Sequence, residues 1–360
     1  MSPFRERADR AAVLARERGL DLLLVTNLVN VRYLSGFSGT NGACLIGPGE
    51  RLFVTDFRYV ERAASEAPDY ELVQGRQDLL EKIAELVKQR GGARLGFDDA
   101  DLSVRAYTRL EKLVNSSVEL VGTAGLVEGL RAVKDEHEIA LIRQAAALTD
   151  GLYRWLIEEH GLAGHSEQDV SRALERRAQD DGAEAVAFPP IVAAAENGAL
   201  PHATPRPASI GRDVLVVVDL GCMLDGYCSD CTRTFATGRL ETEALEVYEL
   251  VRSAQAAAKA AVKEDADVKA VDGAARERID RAGRGDQFGH GTGHGVGLEV
   301  HESPRIAAGA EGRLAAGNVV TIEPGVYVPS RFGVRIEDLV VVGPDGSETL
   351  TSLPRELITV

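Results

Sequence analysis

Residues 289–302 read GHGTGHGVGLEVHE and hold three of the chain's seven histidines, His290, His294 and His301. Glycine fills much of the remainder, and a glycine within a strand lets another backbone, a ligand or a metal approach closely. Imidazole is the commonest metal ligand and titrates near neutral pH. The stretch therefore predicts the floor of a binding or catalytic site. The alternative is a glycine-rich loop with surface histidines.

The composition is that of a soluble globular protein with room for two domains. The chain has 360 residues, of which 44% are hydrophobic and 27% are charged. Its net charge of −15 argues against a nucleic-acid or anionic-membrane partner, because both select a basic surface. The N-terminal segment lacks the apolar core of a secretory signal, and no apolar run is long enough to cross a membrane. We therefore expect a cytoplasmic protein.

Helix and strand signals divide the chain into two parts. Residues 1–125 alternate amphipathic helices with short apolar strands, which predicts an α/β domain. Its clearest helix is predicted from Asp78 to Arg90, with Asp78 as the N-cap and Gly91 as the terminator. Residues 126–360 open with a long capped helix and continue with pairs of antiparallel strands, which predicts an α+β domain.

The first pair of candidate metal ligands lies in Val214–Phe235, VLVVVDLGCMLDGYCSDCTRTF. Two strand-like runs flank Asp225-Gly226, a combination typical of a two-residue hairpin turn. With that turn, Asp219 and Asp230 become diagonal neighbours about 7–8 Å apart at the backbone. Two metal ions about 3.5–4 Å apart could lie between such carboxylates. The alternative is a pair of solvent-facing aspartates, which we disfavour because Asp219 ends a fully apolar run.

A second pair of carboxylates lies in Thr321–Val342, TIEPGVYVPSRFGVRIEDLVVV. Glu323 and Glu337 are fourteen residues apart and centred on Ser330, so a hairpin turn there places them opposite each other. Arg335 shares a face of its strand with Glu337. A glutamate within an apolar strand is costly unless it is paired or metal-bound. The alternative is an edge strand that leaves Glu337 in solvent.

These patterns supply a set of candidate metal ligands that is rich in oxygen. The set comprises Asp219, Asp230, His294, Glu323 and Glu337. Its four carboxylates balance two divalent cations, and the imidazole adds no charge. Oxygen-rich sets favour manganese over metals that prefer thiolates, with cobalt and zinc as alternatives. A pair of such cations activates water at neutral pH, so the residues predict a hydrolase.

These motifs resemble the pita-bread metallopeptidases, in particular the Xaa-Pro aminopeptidase and prolidase group. The resemblance extends over essentially the whole chain, with VVVDLG, GYCSDCTRTF, GHGTGHGVGLEVHE, TIEPGVY and VRIEDLV in family order. It implies a creatinase-type N-terminal α/β domain at residues 1–125, followed by an α+β pita-bread catalytic domain at residues 126–360.

The resemblance also implies how the ligands share two metal ions. Asp219 would bind one ion, His294 and Glu323 would bind the other, and Asp230 and Glu337 would bridge them. All five ligands are present, which argues against creatinase-like relatives that lack metal and against inactive scaffold relatives.

Further roles follow from the resemblance alone. His202, in AENGALPHATP, matches a histidine that positions substrate, although the residues by themselves favour an ordinary loop histidine. His301 matches a histidine that stabilises the oxyanion of the tetrahedral intermediate. His290 would form a wall of the proline pocket, and Arg335, which matches an arginine beside the bridging glutamate, would bind substrate. Glu323 would also carry a proton from the attacking water to the proline nitrogen.

In the first domain, TDFRY resembles a D-x-R-Y pattern of bacterial Xaa-Pro aminopeptidases. In related oligomers this domain of one subunit helps to wall the active site of another. The resemblance therefore implies a homodimer in which Asp56, Arg58 and Tyr59 bind substrate. The alternative is a strand-to-helix junction that Asp56 caps.

The function that we favour from the sequence is an aminopeptidase that removes the first residue from peptides with proline in second position. Dipeptide-specific relatives commonly carry a longer segment between the positions of Glu302 and Thr321, and here that segment is short. The alternative is a prolidase restricted to Xaa-Pro dipeptides, for which Arg305 or Arg313 could receive the substrate carboxylate. A methionine aminopeptidase is disfavoured by the two-domain length. A metal-free binding or scaffold protein on the same fold is a further alternative.

Overall fold

The computed structural model describes residues 2–90 and 94–360. Gly91, which was predicted to end a helix, lies outside these residues. The chain divides into two compact units, Met1–Arg131 and Ala132–Val360. The boundary predicted at residue 125 would assign the helix Leu126–Ala132 to the second domain, whereas nearly all of that helix belongs to the first unit.

The first unit is an α/β domain built on one six-stranded sheet. In chain order its elements are α1 (Pro3–Glu17), β1 (Leu22–Val25), α2 (Leu28–Ser35), β2 (Gly42–Gly47), β3 (Glu50–Asp56), α3 (Val60–Glu66), β4 (Glu71–Gly75), α4 (Leu80–Gln89), β5 (Arg94–Phe97), α5 (Val104–Val114), β6 (Glu119–Gly122) and α6 (Leu126–Ala132). The strand order is β4-β3-β2-β1-β5-β6, with antiparallel pairs β1–β2 and β2–β3 at the centre and parallel pairs outside them. The predicted α/β class is confirmed.

The second unit is α+β. Its elements are α7 (Glu136–Trp155), α8 (Glu167–Asp180), β7 (Ala185–Val186), β8 (Ile191–Ala194), β9 (Leu215–Leu220), β10 (Cys222–Leu224), β11 (Tyr227–Cys228), β12 (Cys231–Ala236), α9 (Thr242–Ala261), α10 (Val268–Arg281), β13 (Gly293–Gly295), β14 (Glu302–Ile306), β15 (Val319–Ile322), β16 (Gly325–Val328), β17 (Phe332–Arg335), β18 (Asp338–Val342) and β19 (Ser347–Thr349). Asp135 and Glu138 form the predicted capping box of α7.

The strands of the second unit form four small sheets. Their orders are β12-β9-β8, β14-β13-β15-β18-β19, β11-β10-β7 and β16-β17. Every strand pair described in this unit is antiparallel, as the sequence predicted. Within residues 2–90 and 94–360 we find no helix whose length and apolarity would let it span a bilayer.

The first predicted hairpin forms with a break in its ladder. Asp225-Gly226 makes the turn with left-handed φ values of 47° and 82°, and Leu224 lies opposite Tyr227 as predicted. The ladder is interrupted at Gly221 and Asp230, which lie outside the strands, and it resumes in the same register between β9 and β12. The carboxylate of Asp230 thus lies where the two strands of the hairpin are not paired.

The second predicted hairpin has the same construction. β16 and β17 pair about Ser330, and β15 and β18 continue in the same register. Glu323 and Glu337 lie opposite each other in the gap between these two ladders, outside the strands. The predicted pairing of the two glutamates is therefore confirmed, and both hairpins present carboxylates at a break.

A buried ion pair ties the first hairpin to the second. Arg233 of β12 is 2% exposed, and its Nη2 donates to Asp338 Oδ1 of β18 at 2.9 Å. The same guanidinium donates from Nη1 to the carbonyl of Glu337 and from Nε to the carbonyl of Pro354. Because one side chain holds Glu337 and Asp338 of the second hairpin and also the C-terminal segment at Pro354, the backbone at Glu337 is fixed.

We expect the Arg233–Asp338 pair to be essential for stability. Asp338→Ala leaves the Arg233 guanidinium buried without its carboxylate, which should cost about 3–5 kcal/mol of unfolding free energy. Urea titration followed by circular dichroism measures the change. Glu249→Ala breaks the pair of Glu249 with Arg252, which is exposed, and should cost no more than about 1 kcal/mol. Equal losses in the two variants would contradict the assignment.

Candidate metal centre

Backbone hydrogen bonds at the break in the second hairpin bring three segments together. Glu323 N donates to Thr292 O at 2.7 Å, which joins the second hairpin to the glycine-rich stretch. Glu337 N donates to Thr232 O at 3.1 Å, which joins it to the first hairpin. A Cβ on Gly293 would lie 1.9 Å from Thr321 O, so this position accepts only glycine. The close backbone approach predicted for the stretch is therefore confirmed.

The candidate ligands converge where these segments meet. Asp230, His294 and Glu337 offer donor atoms that all lie within 4.8 Å of one another. His294 Nε2 is 3.2 Å from Glu323 Oε1 and 3.7 Å from Asp230 Oδ2. His294 Nδ1 lies 3.1 Å from the carbonyl of Gly295, which can only accept, so Nδ1 carries the proton and Nε2 faces the carboxylates.

Three of the carboxylates are buried although their protein partners do not satisfy all of their oxygens. Asp219, Asp230 and Glu337 are 9%, 4% and 1% exposed. One oxygen of each, namely Asp219 Oδ1, Asp230 Oδ1 and Glu337 Oε1, is buried without a hydrogen-bond partner in the described part of the chain. A buried carboxylate oxygen without a partner is costly. Divalent cations would satisfy these oxygens, so the residues fit the metal centre that the sequence predicts.

The pKa values of the ligands reflect the same shortage of positive charge. Burial, and then the neighbouring carboxylates, raise the pKa of Asp230 and of Glu337 well above the usual range. Burial also acts to raise the pKa of Glu323, but its hydrogen bond to His294 and nearby cationic groups lower it to about 2. A bound cation would favour the ionised form of every carboxylate in the cluster.

Arg335 is the guanidinium that contacts this cluster, and it is buried at 4% exposure. Its Nη2 donates to Asp219 Oδ2 at 2.7 Å. Its Nε donates to Thr232 Oγ1 at 3.1 Å, and that hydroxyl in turn donates to Glu337 Oε2 at 2.7 Å. Arg335 was predicted to lie beside Glu337; in the structure it contacts Asp219 directly and reaches Glu337 through Thr232. Its role in substrate binding stays a prediction.

Tyr327 is a residue of the site that the sequence reasoning missed. Its hydroxyl accepts from Arg335 Nη1 at 2.8 Å and contacts His290 Nε2 at 2.9 Å. His290 Nδ1 lies 2.8 Å from the carbonyl of Gly291, so Nδ1 is protonated and Nε2 accepts the tyrosine proton. Burial lowers the pKa of His290, which favours this neutral form. The hairpin register places Tyr327 diagonal to Arg335 on one face, a signal that could have found it.

The remaining histidines lie at the edge of the cluster. The ring of His301 is 4.3 Å from the ring of His294 between centroids, and burial and then the charge of His294 lower the pKa of His301. His202 is exposed. Pro201 O, next to His202, accepts from Arg335 Nη1 at 3.0 Å. The structure thus places all four predicted histidines about one site.

In the first unit, the side chains of TDFRY contact one another. Asp56 is fully buried and accepts from Arg58 Nε at 2.9 Å and from Arg58 Nη2 at 2.8 Å. Asp56 Oδ1 also accepts from the backbone N–H of Arg58, and the Arg58 hydrogen bonds lower the pKa of Asp56. The Tyr59 hydroxyl contacts Thr40 Oγ1 at 2.5 Å. These contacts form the turn between β3 and α3, and the substrate-binding role of the three residues stays a prediction.

Comparison with known sequences places this site in a family. Residues 140–344 match metallopeptidase family M24, and residues 7–133 match the creatinase/prolidase N-terminal domain. The chain belongs to the M24 metallopeptidases and has the pita-bread catalytic fold, as the sequence predicted. The family is one of metal-dependent hydrolases, in agreement with the carboxylate cluster.

Several relatives align with nearly the whole chain. The Xaa-Pro dipeptidase of Pyrococcus furiosus is 35% identical over 359 residues, which cover 99% of this chain and 100% of the relative. The structure of the Xaa-Pro dipeptidase from Bacillus anthracis is similar, with a TM-score of 0.95, 37% identity and coverage of 99% and 100%. The X-Pro aminopeptidase from Thermotoga maritima gives a TM-score of 0.90, 34% identity and coverage of 98% and 99%.

We expect divalent cations to stabilise the protein through the carboxylate cluster. At about 100 times its Kd, Mn²⁺ should raise the unfolding free energy by about 2.7 kcal/mol, seen as a higher Tm than in EDTA. Asp230→Asn should lose most of this gain because a ligand charge is removed. Asp150→Asn alters a buried carboxylate that accepts from Ser352 instead, so it should keep the gain. A full gain in Asp230→Asn would contradict the site.

Proposed function

We propose that this protein is a dinuclear-metal peptidase that hydrolyses the bond before proline, and that Xaa-Pro dipeptides are its main substrates. The observation that carries the dipeptide preference is the position of Arg305. Arg305 lies opposite His294 in the β13–β14 pair, so the two side chains emerge on the same face, and Arg305 is exposed. A cation on the face that carries His294 is suited to a substrate whose proline carries a free carboxylate.

The comparisons support this proposal over the aminopeptidase that the sequence favoured. That prediction rested on the short segment between Glu302 and Thr321. The Pyrococcus furiosus relative, named a Xaa-Pro dipeptidase, aligns over its entire length with 99% of this chain in 359 positions. Such an alignment leaves no room for a substantially longer segment in that relative. Shortness of the segment is therefore no argument against a dipeptidase.

Aminopeptidase activity on longer peptides is the second candidate. It is supported by the similarity to the Thermotoga maritima protein, which is named an X-Pro aminopeptidase and matches this chain about as well as the dipeptidases do. The two activities share the same bond and the same ligands. They differ in whether the site binds a free carboxylate on the proline, as in a dipeptide, or leaves room for the peptide chain to continue past the proline.

The metal centre of the proposal is held by the cluster already described. Asp219 would bind one ion, His294 and Glu323 would bind the other, and Asp230 and Glu337 would lie between them. When bound, two divalent cations supply Lewis acidity toward the scissile carbonyl and lower the pKa of water. The oxygen-rich donors favour manganese, with cobalt and zinc as alternatives.

The protein groups around the cluster supply the proton transfers. Glu323 lies beside the cluster, with Oε1 3.2 Å from His294 Nε2, and its carboxylate would accept a proton from the attacking water. It would return that proton to the proline nitrogen, which becomes the leaving amine. His301, at the edge of the cluster, would donate to the developing oxyanion, and His202 would position the substrate.

His290, Tyr327 and Arg335 shape the place for the proline ring. His290 already uses both ring nitrogens, so it presents an apolar ring face that suits a residue without an N–H. Arg335 donates hydrogen bonds to Asp219, Tyr327, Pro201 and Thr232. We therefore assign it to positioning Asp219 and Tyr327 and not to direct substrate contact. The proposed homodimer, with Asp56, Arg58 and Tyr59 near substrate, rests on the family resemblance, and the proposed cytoplasmic location rests on the composition of the sequence.

The decisive experiment compares a matched Xaa-Pro dipeptide and Xaa-Pro-Yaa tripeptide in the Mn²⁺-loaded protein. We expect the higher kcat/KM for the dipeptide. Arg305→Ala should lower the dipeptide value about 10- to 100-fold, the usual loss for a hydrogen bond to a charged group, and should spare the tripeptide. Arg313→Ala is the matched control because Arg313 already pairs with Asp265 at 3.3 Å, and it should leave both values unchanged.

Two outcomes would contradict the dipeptidase proposal. A higher kcat/KM for the tripeptide in the unmodified protein would make the aminopeptidase candidate correct. Equal losses for both substrates in Arg305→Ala would show that Arg305 does not receive the carboxylate of the dipeptide.

A further inference from the structure

The segment that carries His202 is closed at its base by one buried carboxylate. This segment, residues 195–205, connects β8 to the chain before β9 and is here named the His202 loop. Glu167, the first residue of α8, is 3% exposed. Its Oε1 accepts from Ala194 N at 2.8 Å and its Oε2 accepts from Arg206 N at 2.7 Å. A single side chain therefore joins the residue before the loop to the residue after it.

A second side chain extends this closure into the loop. Asn197 is 2% exposed, and its Nδ2 donates to Glu167 Oε2 at 2.8 Å and to Thr204 O at 3.1 Å. Both hydrogens of the amide are thus used. The backbone two residues beyond His202 is linked through Asn197 to the carboxylate of Glu167.

The other side of His202 is held by the second hairpin. Pro201 O accepts from Arg335 Nη1 at 3.0 Å. Gly198 packs so closely on β17 that a Cβ on Gly333 would lie 1.9 Å from Gly198 O. His202 therefore has an anchored residue on each side, Pro201 toward the metal ligands and Thr204 toward Glu167.

The charge at Glu167 is not explained by an ion pair. In the part of the chain that the structure describes, no Lys, Arg or His side chain pairs with this carboxylate. Its partners are two backbone N–H groups and one amide, and it lies in the first turn of α8, where a negative charge is favoured. The carboxylate instead joins the two ends of the His202 loop, at Ala194 and Arg206.

We propose that Glu167 and Asn197 are positioning residues that hold His202 at the active site. The inference rests on the proposed function, in which His202 positions the substrate. An open loop of this length would let His202 move by far more than the fraction of an ångström that a catalytic geometry tolerates. In residues 2–90 and 94–360, neither side chain hydrogen-bonds to a metal ligand, so their effect should pass through His202.

Substitution by glutamine tests the closure with little change of shape. Glu167→Gln replaces one oxygen by an NH₂ group. In either orientation that group faces donors, because Ala194 N lies on one side and Arg206 N with Asn197 Nδ2 lies on the other. The link between the two ends of the loop should loosen, while Gln168 N still donates to Arg206 O at 3.1 Å. Asn197→Ala is a milder second variant, since it frees Thr204 and keeps both backbone contacts of Glu167.

The experiment is a double-mutant cycle in the Mn²⁺-loaded protein with a Xaa-Pro dipeptide. Glu167→Gln should lower kcat/KM about 10- to 100-fold, in line with a small misplacement of a catalytic group. In the His202→Ala background the same substitution should have almost no further effect. Bound manganese should stay unchanged, and hydrogen exchange should quicken in residues 195–205. Asp150→Asn is the control and should affect neither the loop nor kcat/KM.

The outcomes separate this inference from the proposed function. Additive losses of kcat/KM, or unchanged exchange of the His202 loop in both Glu167→Gln and Asn197→Ala, would overturn the positioning role. If His202→Ala itself leaves kcat/KM unchanged, the proposed role of His202 is wrong, and the inference falls with it. If His202→Ala lowers kcat/KM as proposed but Glu167→Gln loses bound manganese, the inference is also overturned, because the effect of Glu167 would then pass through the metal ligands.

Discussion

The structure of the second unit has to accommodate four carboxylates that lie close together in one buried space. Asp219, Asp230, Glu323 and Glu337 share that space with one imidazole and one guanidinium from the described residues. Their negative charge exceeds the positive charge around them, and burial strengthens the repulsion. The chain tolerates this arrangement because strong contacts elsewhere, above all Arg233 with Asp338, fix the backbone that carries the ligands.

The breaks in the two hairpins are how the fold meets this constraint. A residue inside a continuous ladder has its backbone committed to the opposite strand. At the break in the second hairpin, the backbone N–H groups of Glu323 and Glu337 instead donate to other segments, at Thr292 and Thr232. The same irregularity therefore brings distant segments together and points their carboxylates into one space. Arg335 extends the arrangement outward to Tyr327 and to the loop of His202.

Local patterns in the sequence predicted the two hairpins, but they could not predict contacts between residues that are far apart in the chain. Asp225-Gly226 and the symmetric spacing about Ser330 predicted two registers that the structure confirms. The contact of Arg335 with Asp219 joins residues 116 positions apart, and no periodicity reports such a pair. The Glu167 closure was missed for the same reason. His202 was singled out by family resemblance only, since its own surroundings in the sequence are those of a loop. Segment length proved a poor guide to peptide-length preference, because a relative named a Xaa-Pro dipeptidase aligns over its entire length with 99% of this chain.

The central claim is that the carboxylate cluster is a site for two divalent cations. Anomalous X-ray diffraction from crystals grown with Mn²⁺ tests it most directly, because scattering at the manganese edge locates each ion and its ligands. We expect two anomalous peaks, one bound by Asp219 and one by His294 and Glu323, with Asp230 and Glu337 contacting both. Absence of peaks at these five side chains under saturating Mn²⁺, or a single ion that leaves Asp219 bound only to Arg335, would contradict the account.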